Sequence, residues 1–381
     1  MKYSEPGTYT LQYTAEDSCG NKTIANRTVI VKAATVFGAE WAGGESSAWT
    51  RTDGAASFAD PSPAVANGTG SSPFDSIMPW SGMRRVSDPV AGELVEIPKY
   101  WYKWTRDGAK MKLQIANEET DGFLVSPAHA DRGDGAGERN VVYVGRYHCA
   151  DDYKSKTGVQ PVRSKTRDQF RQGIHALGTG IYQYDFAMYW TIAMLYLVEF
   201  ADWNSQAKIG YGCGTTTSVA NEGATDAMQY HTGTNAANRT TYGEIQYRYI
   251  EGLWSNVLDW VDGIYFNNTD VYCIKNPADF SDTTGGTLVG TRANASDYIK
   301  AFTDPNVSGF EYALYPNSVG DGANATQYVT DYCNFDTSGV VLLVGGYYGN
   351  RSQSLGLFCM GGSNSASNSS SFIGSRLMKL A

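Results

Sequence analysis

Apolar and polar residues alternate with a period of two over residues 8–31. Tyr9, Leu11 and Tyr13 share one face of a first strand, and in a second Thr28 and Ile30 alternate with Val29 and Val31. Asp17-Ser18-Cys19-Gly20-Asn21 between them has turn composition, so the pattern predicts a β-hairpin. A lone two-stranded hairpin is marginal in water and needs something to pack on. Residues 34–89 show no sustained period and are rich in Gly, Ala, Ser and Pro, which predicts a linker or long loops. Regular structure is expected to resume at residues 93–98 and in the aromatic run 100–104. Alternation there places Tyr100, Tyr102 and Trp104 on one face and Trp101 on the other.

A helical period emerges twice. Thr166 is the expected N-cap of a first helix, with Gln169 three residues on as its capping-box partner. Phe170, Ile174 and Leu177 follow on one face, and Gly178 stands where a glycine would end the helix. A second helix starts near Asp185 and runs through Trp190, Leu195 and Phe200. Residues 186–198 are apolar except for Thr191, a run shorter than the ~20 residues of a membrane helix, so a buried core helix is expected. Beyond Gly210 the chain returns to short aromatic strands and Gly/Asn/Thr loops. Two central helices with strands before and after predict an α+β fold.

Composition narrows the function. Of 381 residues 18 % are charged, while Gly numbers 42 and Tyr 26, which suits a loop-rich protein with contact surfaces. The net charge of −9 and the lack of any basic run argue against nucleic acid, whose affinity rests on Lys and Arg neutralising phosphates. Cys19, Cys149, Cys213, Cys273, Cys333 and Cys359 are scattered singly, with no zinc-type spacing, so neither a metal nor a cofactor is expected and most thiols should be free and buried. The N-terminus has no apolar h-region of a signal peptide. In residues 131–139 the Arg132-Gly133-Asp134 tripeptide is read as chance in a Gly/charge loop.

Several stretches resemble known families. Residues 7–31 resemble the last two strands of a bacterial immunoglobulin-like repeat, with the missing strands upstream; a hairpin that simply docks on the main domain is the equal alternative. Residues 247–266 (YRYIEGLWSNVLDWVDGIYF) resemble the G-N-V-W-E-W block of the formylglycine-generating-enzyme-like branch of C-type-lectin folds. Gly345-Gly346 after residues 340–344 resembles that branch's next strand and turn, and Ser365-Ala366-Ser367 with residues 373–377 (IGSRL) resembles its closing block. Together with the section from residue 97 onwards (IPKYWYKW, VGRY, DQFRQGI, IGYG), the arrangement looks like the variable proteins of diversity-generating retroelements, many of them phage tail-fibre or cell-surface binding proteins. The resemblance covers residues 90–381 and implies a C-type-lectin-like domain there, preceded by a linker (34–89) and an immunoglobulin-like remnant (1–33). It also implies a non-catalytic protein on a virion or bacterial surface that binds a host-surface protein or glycan. A trimer, as in fibre tips, would fit, although no coiled-coil heptad supports one.

Residues 345–372 would be the variable region. They hold eight Ser, six Gly, three Asn and two Tyr, with Arg351 the one charge, a mixture of rigid amphipathic area and adaptable hydrogen bonding found in recombined paratopes. In the resembled family diversification acts on template adenines, and Asn-type codons so altered encode Tyr, Ser, Gly, Asn, Arg, Cys or Leu. That implies Tyr347, Tyr348, Asn350, Arg351, Ser354, Cys359, Gly361, Ser363 and Asn364 as ligand-binding positions. Gly346, Leu357, Phe358, Ala366, Ile373, Gly374 and Arg376 would be scaffold. An oxidase of the same branch needs a close pair of cysteines near the C-terminus, which Cys333 and Cys359 do not provide. The four histidines are far apart, and no Asp or Glu follows Asp336, so general acid–base chemistry at the C-terminal face lacks its groups. A calcium-independent lectin and a structural virion protein remain as alternatives.

Overall fold

The computed structural model describes residues 7–31, 35–212, 218–349 and 355–380. Two ten-residue strands, Gly7–Glu16 and Lys22–Val31, form the hairpin in full register. Its turn is closed by the Asp17 carboxylate, which accepts the amides of Cys19 and Asn21, both at 2.9 Å. Apolar side chains on it stay in solvent, with Ile30 66 % and Ile24 57 % exposed.

The rest is built mainly of strands. One antiparallel five-stranded sheet runs in the order Trp49–Asp53, Val36–Trp41, Lys110–Ala116, Trp101–Asp107, Leu124–Val125. A second runs Ile181–Gln183, Leu377–Leu380, Val141–Gly145, Gly92–Pro98, Arg84–Asp88, with the C-terminal strand inside it. A nine-stranded sheet, curled like half a barrel, carries Leu258–Asn267, Val341–Val344, Met360–Asn364, Tyr332–Phe335 and Ser296–Phe302 as successive neighbours.

Both expected helices form. Helix α1 (Arg167–His175) has the Thr166–Gln169 capping box, and it ends at Ala176, two residues short of Gly178. Helix α2 (Phe186–Phe200), capped by Asp185, is buried at every position and packs between the first five-stranded sheet and the strand Leu258–Asn267. A helix apolar all round must lie in a core. Its polar groups are partnered: Glu199 is held by Arg248, Ser72 and Tyr247, and Trp190 Nε1 donates to the Leu314 carbonyl at 2.9 Å.

The α+β C-type-lectin-like class is overturned, because strands take 36 % of the residues and helices 11 %. The strands escaped the sequence pattern for a physical reason. Leu258–Asn267 is buried on both faces along nearly its whole length and so shows no alternation. Residues 35–89 are not a separate linker but packed chain with long loops: Val36–Trp41 and Trp49–Asp53 pair into a sheet, and Phe37, Trp41, Trp49, Phe74 and Trp80 join the main core. Small residues there permit close approach; Ala39 and Ala55 are fully buried among these rings.

Candidate binding groove

The strand Met360–Asn364 lies between Val341–Val344 and Tyr332–Phe335, antiparallel to the first and parallel to the second. Alternation along it turns Met360 and Gly362 into the core and leaves Gly361 and Ser363 half-buried on the other face. On that face Gly361 and Ser363 join Tyr332 and Asn334 of one neighbour and Leu343 of the other as the floor of a groove of about 360 Å³. Tyr347, Asn364, Asn368, Ser370 and Phe372 complete its walls. Tyr347 packs on Phe372 with ring centroids 4.9 Å apart, so the rim tyrosine is held by a contact and not left to swing.

The inner end of the groove is the segment 355–359, which brings Cys359 to the site. Four groups pin it. The Asp331 carboxylate accepts the amides of Gly356 (2.9 Å) and Phe358 (2.8 Å), Ser205 Oγ accepts that of Leu357 (2.8 Å), and Tyr189 of α2 donates to the Leu357 carbonyl (2.9 Å). Phe358 then packs edge-on against Trp203, 4.9 Å between centroids. Burial pushes the Asp331 carboxyl up to about 8, although the amides around it pull the other way. Burial likewise holds the Cys359 thiol well above its ordinary value, with the Asp331 and Cys333 charges adding to the effect. A thiol kept protonated is a small apolar surface, not a nucleophile.

Of the nine positions expected to bind, Tyr347, Cys359, Gly361, Ser363 and Asn364 line this one groove. Tyr348 points away: only 7 % exposed, it clusters with Val219 and Val257, and its amide donates to Asn256 at 2.9 Å. Asn350, Arg351 and Ser354 lie outside the described residues. Tyr332, Asn334 and Leu258 were missed because they sit outside the C-terminal tract; exposure alternates in Tyr332–Phe335 between the groove face and the buried Cys333 and Phe335. Among the described lining residues none is charged.

Steric room sorts the glycines of the site. A Cβ on Gly361 would meet only Leu343, at 3.6 Å, an ordinary contact. On Gly362 it would come within 2.3 Å of the Phe335 ring and 2.7 Å of Phe266, and on Gly374 within 2.8 Å of Val257. Arg376, fully buried, ties the closing strand to the body through Asp259 (2.8 Å) and the carbonyls of Gly145 and Glu251. His148 beside it meets Glu222 at 3.1 Å. Burial drives the histidine down to about 3 and the carboxyl up to about 7, so the imidazole is uncharged near pH 7 and the contact is a hydrogen bond, not an ion pair.

The tripeptide at Arg132 is not displayed. Its guanidinium is buried against Asp185 and donates to the Lys275 carbonyl at 2.7 Å.

The geometry therefore defines a β-rich body that carries an uncharged, amphipathic groove floored by a sheet. Comparison with known proteins adds one finding, away from the groove. Residues 2–31 match the family model described as the Ig-like domain of bacterial surface proteins, a match that covers the hairpin and suggests a surface protein. No curated protein matches the chain. Among the described residues no helix is long and apolar enough to cross a membrane.

Proposed function

We propose that the chain is a non-catalytic receptor-binding protein whose groove is a diversified contact face for a protein or glycan on a host surface. In this reading it acts as the variable protein of a diversity-generating retroelement, of the phage tail-fibre or bacterial surface type. One observation carries the reading. Five of the nine positions singled out in residues 345–372 line one groove, and Gly361 among them has room for a side chain, whereas Gly362 and Gly374 nearby admit no added atom. A rigid tyrosine with serine, asparagine and an open glycine around an apolar floor is suited to exchange of ligand without loss of fold. No carboxylate or imidazole lines the groove among the described residues, and the Cys359 thiol is protonated, which supports binding without turnover.

The two tyrosines supply the test. Tyr347→Ala removes an aromatic from the rim and should cut adhesion to host cells at least tenfold with Tm unchanged. Tyr348→Ala opens a hole in the cluster with Val219 and Val257 and should cost about 3 kcal/mol of stability. Full adhesion by a folded Tyr347→Ala protein would reject the groove as the binding face. A structural virion protein would show that result.

A further inference from the structure

A second concavity, about 1180 Å³, lies between the strand Trp101–Asp107, the loops 118–125 and 130–138, and residues 308–312, and it shares no lining residue with the groove. Its volume matches or exceeds that of sites which take drug-sized ligands. Three largely buried residues bring polar groups to it, and one of those groups is a buried donor without a partner. Tyr102 and Tyr312 are 2 % and 6 % exposed, and among the described residues neither phenol hydroxyl has a hydrogen-bond partner. Arg132, 2 % exposed, uses Nε on the Lys275 carbonyl and Nη2 on Asp185, which leaves Nη1 without an acceptor. Buried polar groups are nearly always satisfied, so the Arg132 donor, beside two tyrosine hydroxyls that no protein group engages, marks where a ligand can bind.

The outer part of the cleft has a different character. Glu118, Glu119, Asp121, Glu138 and Glu311 line it with Lys275, and Lys99 beside it pairs with Glu138 at 3.6 Å and lies over one face of Trp101. Glu311 is fixed by the Gly309 amide at 2.9 Å. Trp101 and Phe123 add half-buried aromatic surface. A ligand that fits must accept hydrogen bonds at the inner end, donate them to carboxylates at the outer end, and offer C–H faces to rings. A cationic peptide meets the second demand but brings its charge up to a buried guanidinium. Hydroxyl groups do both, because each donates and accepts.

We infer that this cleft binds a neutral oligosaccharide, with Tyr102, Tyr312 and Arg132 hydrogen-bonded to hydroxyls at its inner end, the carboxylates receiving hydroxyls at its outer end, and Trp101 stacking on a sugar ring. The site is independent of the groove and of the function proposed for it.

The test uses the whole chain on an array of neutral glycans, with calorimetric titration of the best one and of hexalysine. Saturable binding of at least one neutral oligosaccharide is expected. Trp101→Ala and Tyr312→Phe should each weaken it tenfold or more, and Tyr347→Ala should leave it unchanged. Tyr312→Phe removes only a hydroxyl that has no partner, so its Tm should equal or exceed that of the parent and any lost affinity is not lost folding. Absence of binding across the array, affinity unaltered in both cleft variants, loss confined to Tyr347→Ala, or tighter binding of hexalysine would each overturn the assignment.

Discussion

A methyl group on Gly361 would touch Leu343 at 3.6 Å, while one on Gly362 would overlap the Phe335 ring. Chain neighbours on one strand thus face opposite requirements, because successive residues point to opposite sides of a sheet. Gly361→Ser and Gly361→Tyr should leave Tm unchanged and alter what the groove binds. Gly362→Ala should destabilise the protein by about 1–3 kcal/mol through overpacking against Phe335 and Phe266. Thermal melting of the three variants checks this; equal losses at both positions would show that Gly361 is as confined as Gly362. At this scale the sequence was informative about chemistry and poor about direction. Tyr347 and Tyr348 are equivalent by composition and codon logic, yet the first lines the groove and the second packs behind it. Only the path of the chain after Val344 separates them.

Helices and strands differed in how far the sequence revealed them. The Thr166–Gln169 capping box and the Asp185 cap are local chemistry, and both helices begin where those residues stand. The hairpin was legible as well, since its alternation is regular and its turn residues are specific. Strands whose partners are distant in sequence were not. Val36–Trp41 contains glycine and alanine because Ala39 packs at zero exposure, and that composition reads as a linker when taken alone. The groove floor joins residues 332–335, 341–344 and 360–364, and which faces its strands turn to solvent becomes fixed only when they pair. That long-range pairing is also why an α+β class, weighted towards two well-capped helices, gave way to a strand-dominated body.

For the molecule as a whole, buried acids set a pH dependence. Burial raises Asp331 to about 8, Glu222 and Glu251 to about 7, and Glu244 well above its ordinary value. A carboxyl with a raised folded pKa binds more protons folded than unfolded, so the stability it contributes is lost as pH rises through that window. His129 and His148, lowered to about 4 and 3, act in the opposite sense, but only once the unfolded chain protonates them near pH 6.5 and below. Between pH 8 and 7 the acids therefore dominate, each bound proton being worth about 1.4 kcal/mol per pH unit. Tm should be a few degrees higher at pH 7 than at pH 8, as read by differential scanning calorimetry; a Tm that falls over this interval would contradict the protonated state assigned to these groups.

A scaffold held by groups such as Arg376 and Asp331, with a groove where side chains can change freely, makes a statement about natural variation. The measurement that tests it most directly is the sequence of the gene's 3′ end in many copies from the source population. The account predicts substitutions concentrated at Tyr347, Cys359, Gly361, Ser363 and Asn364, with Gly362, Gly374 and Arg376 unchanged. Uniform sequence at the groove positions, or substitutions spread evenly over groove and scaffold, would contradict a diversified binding face.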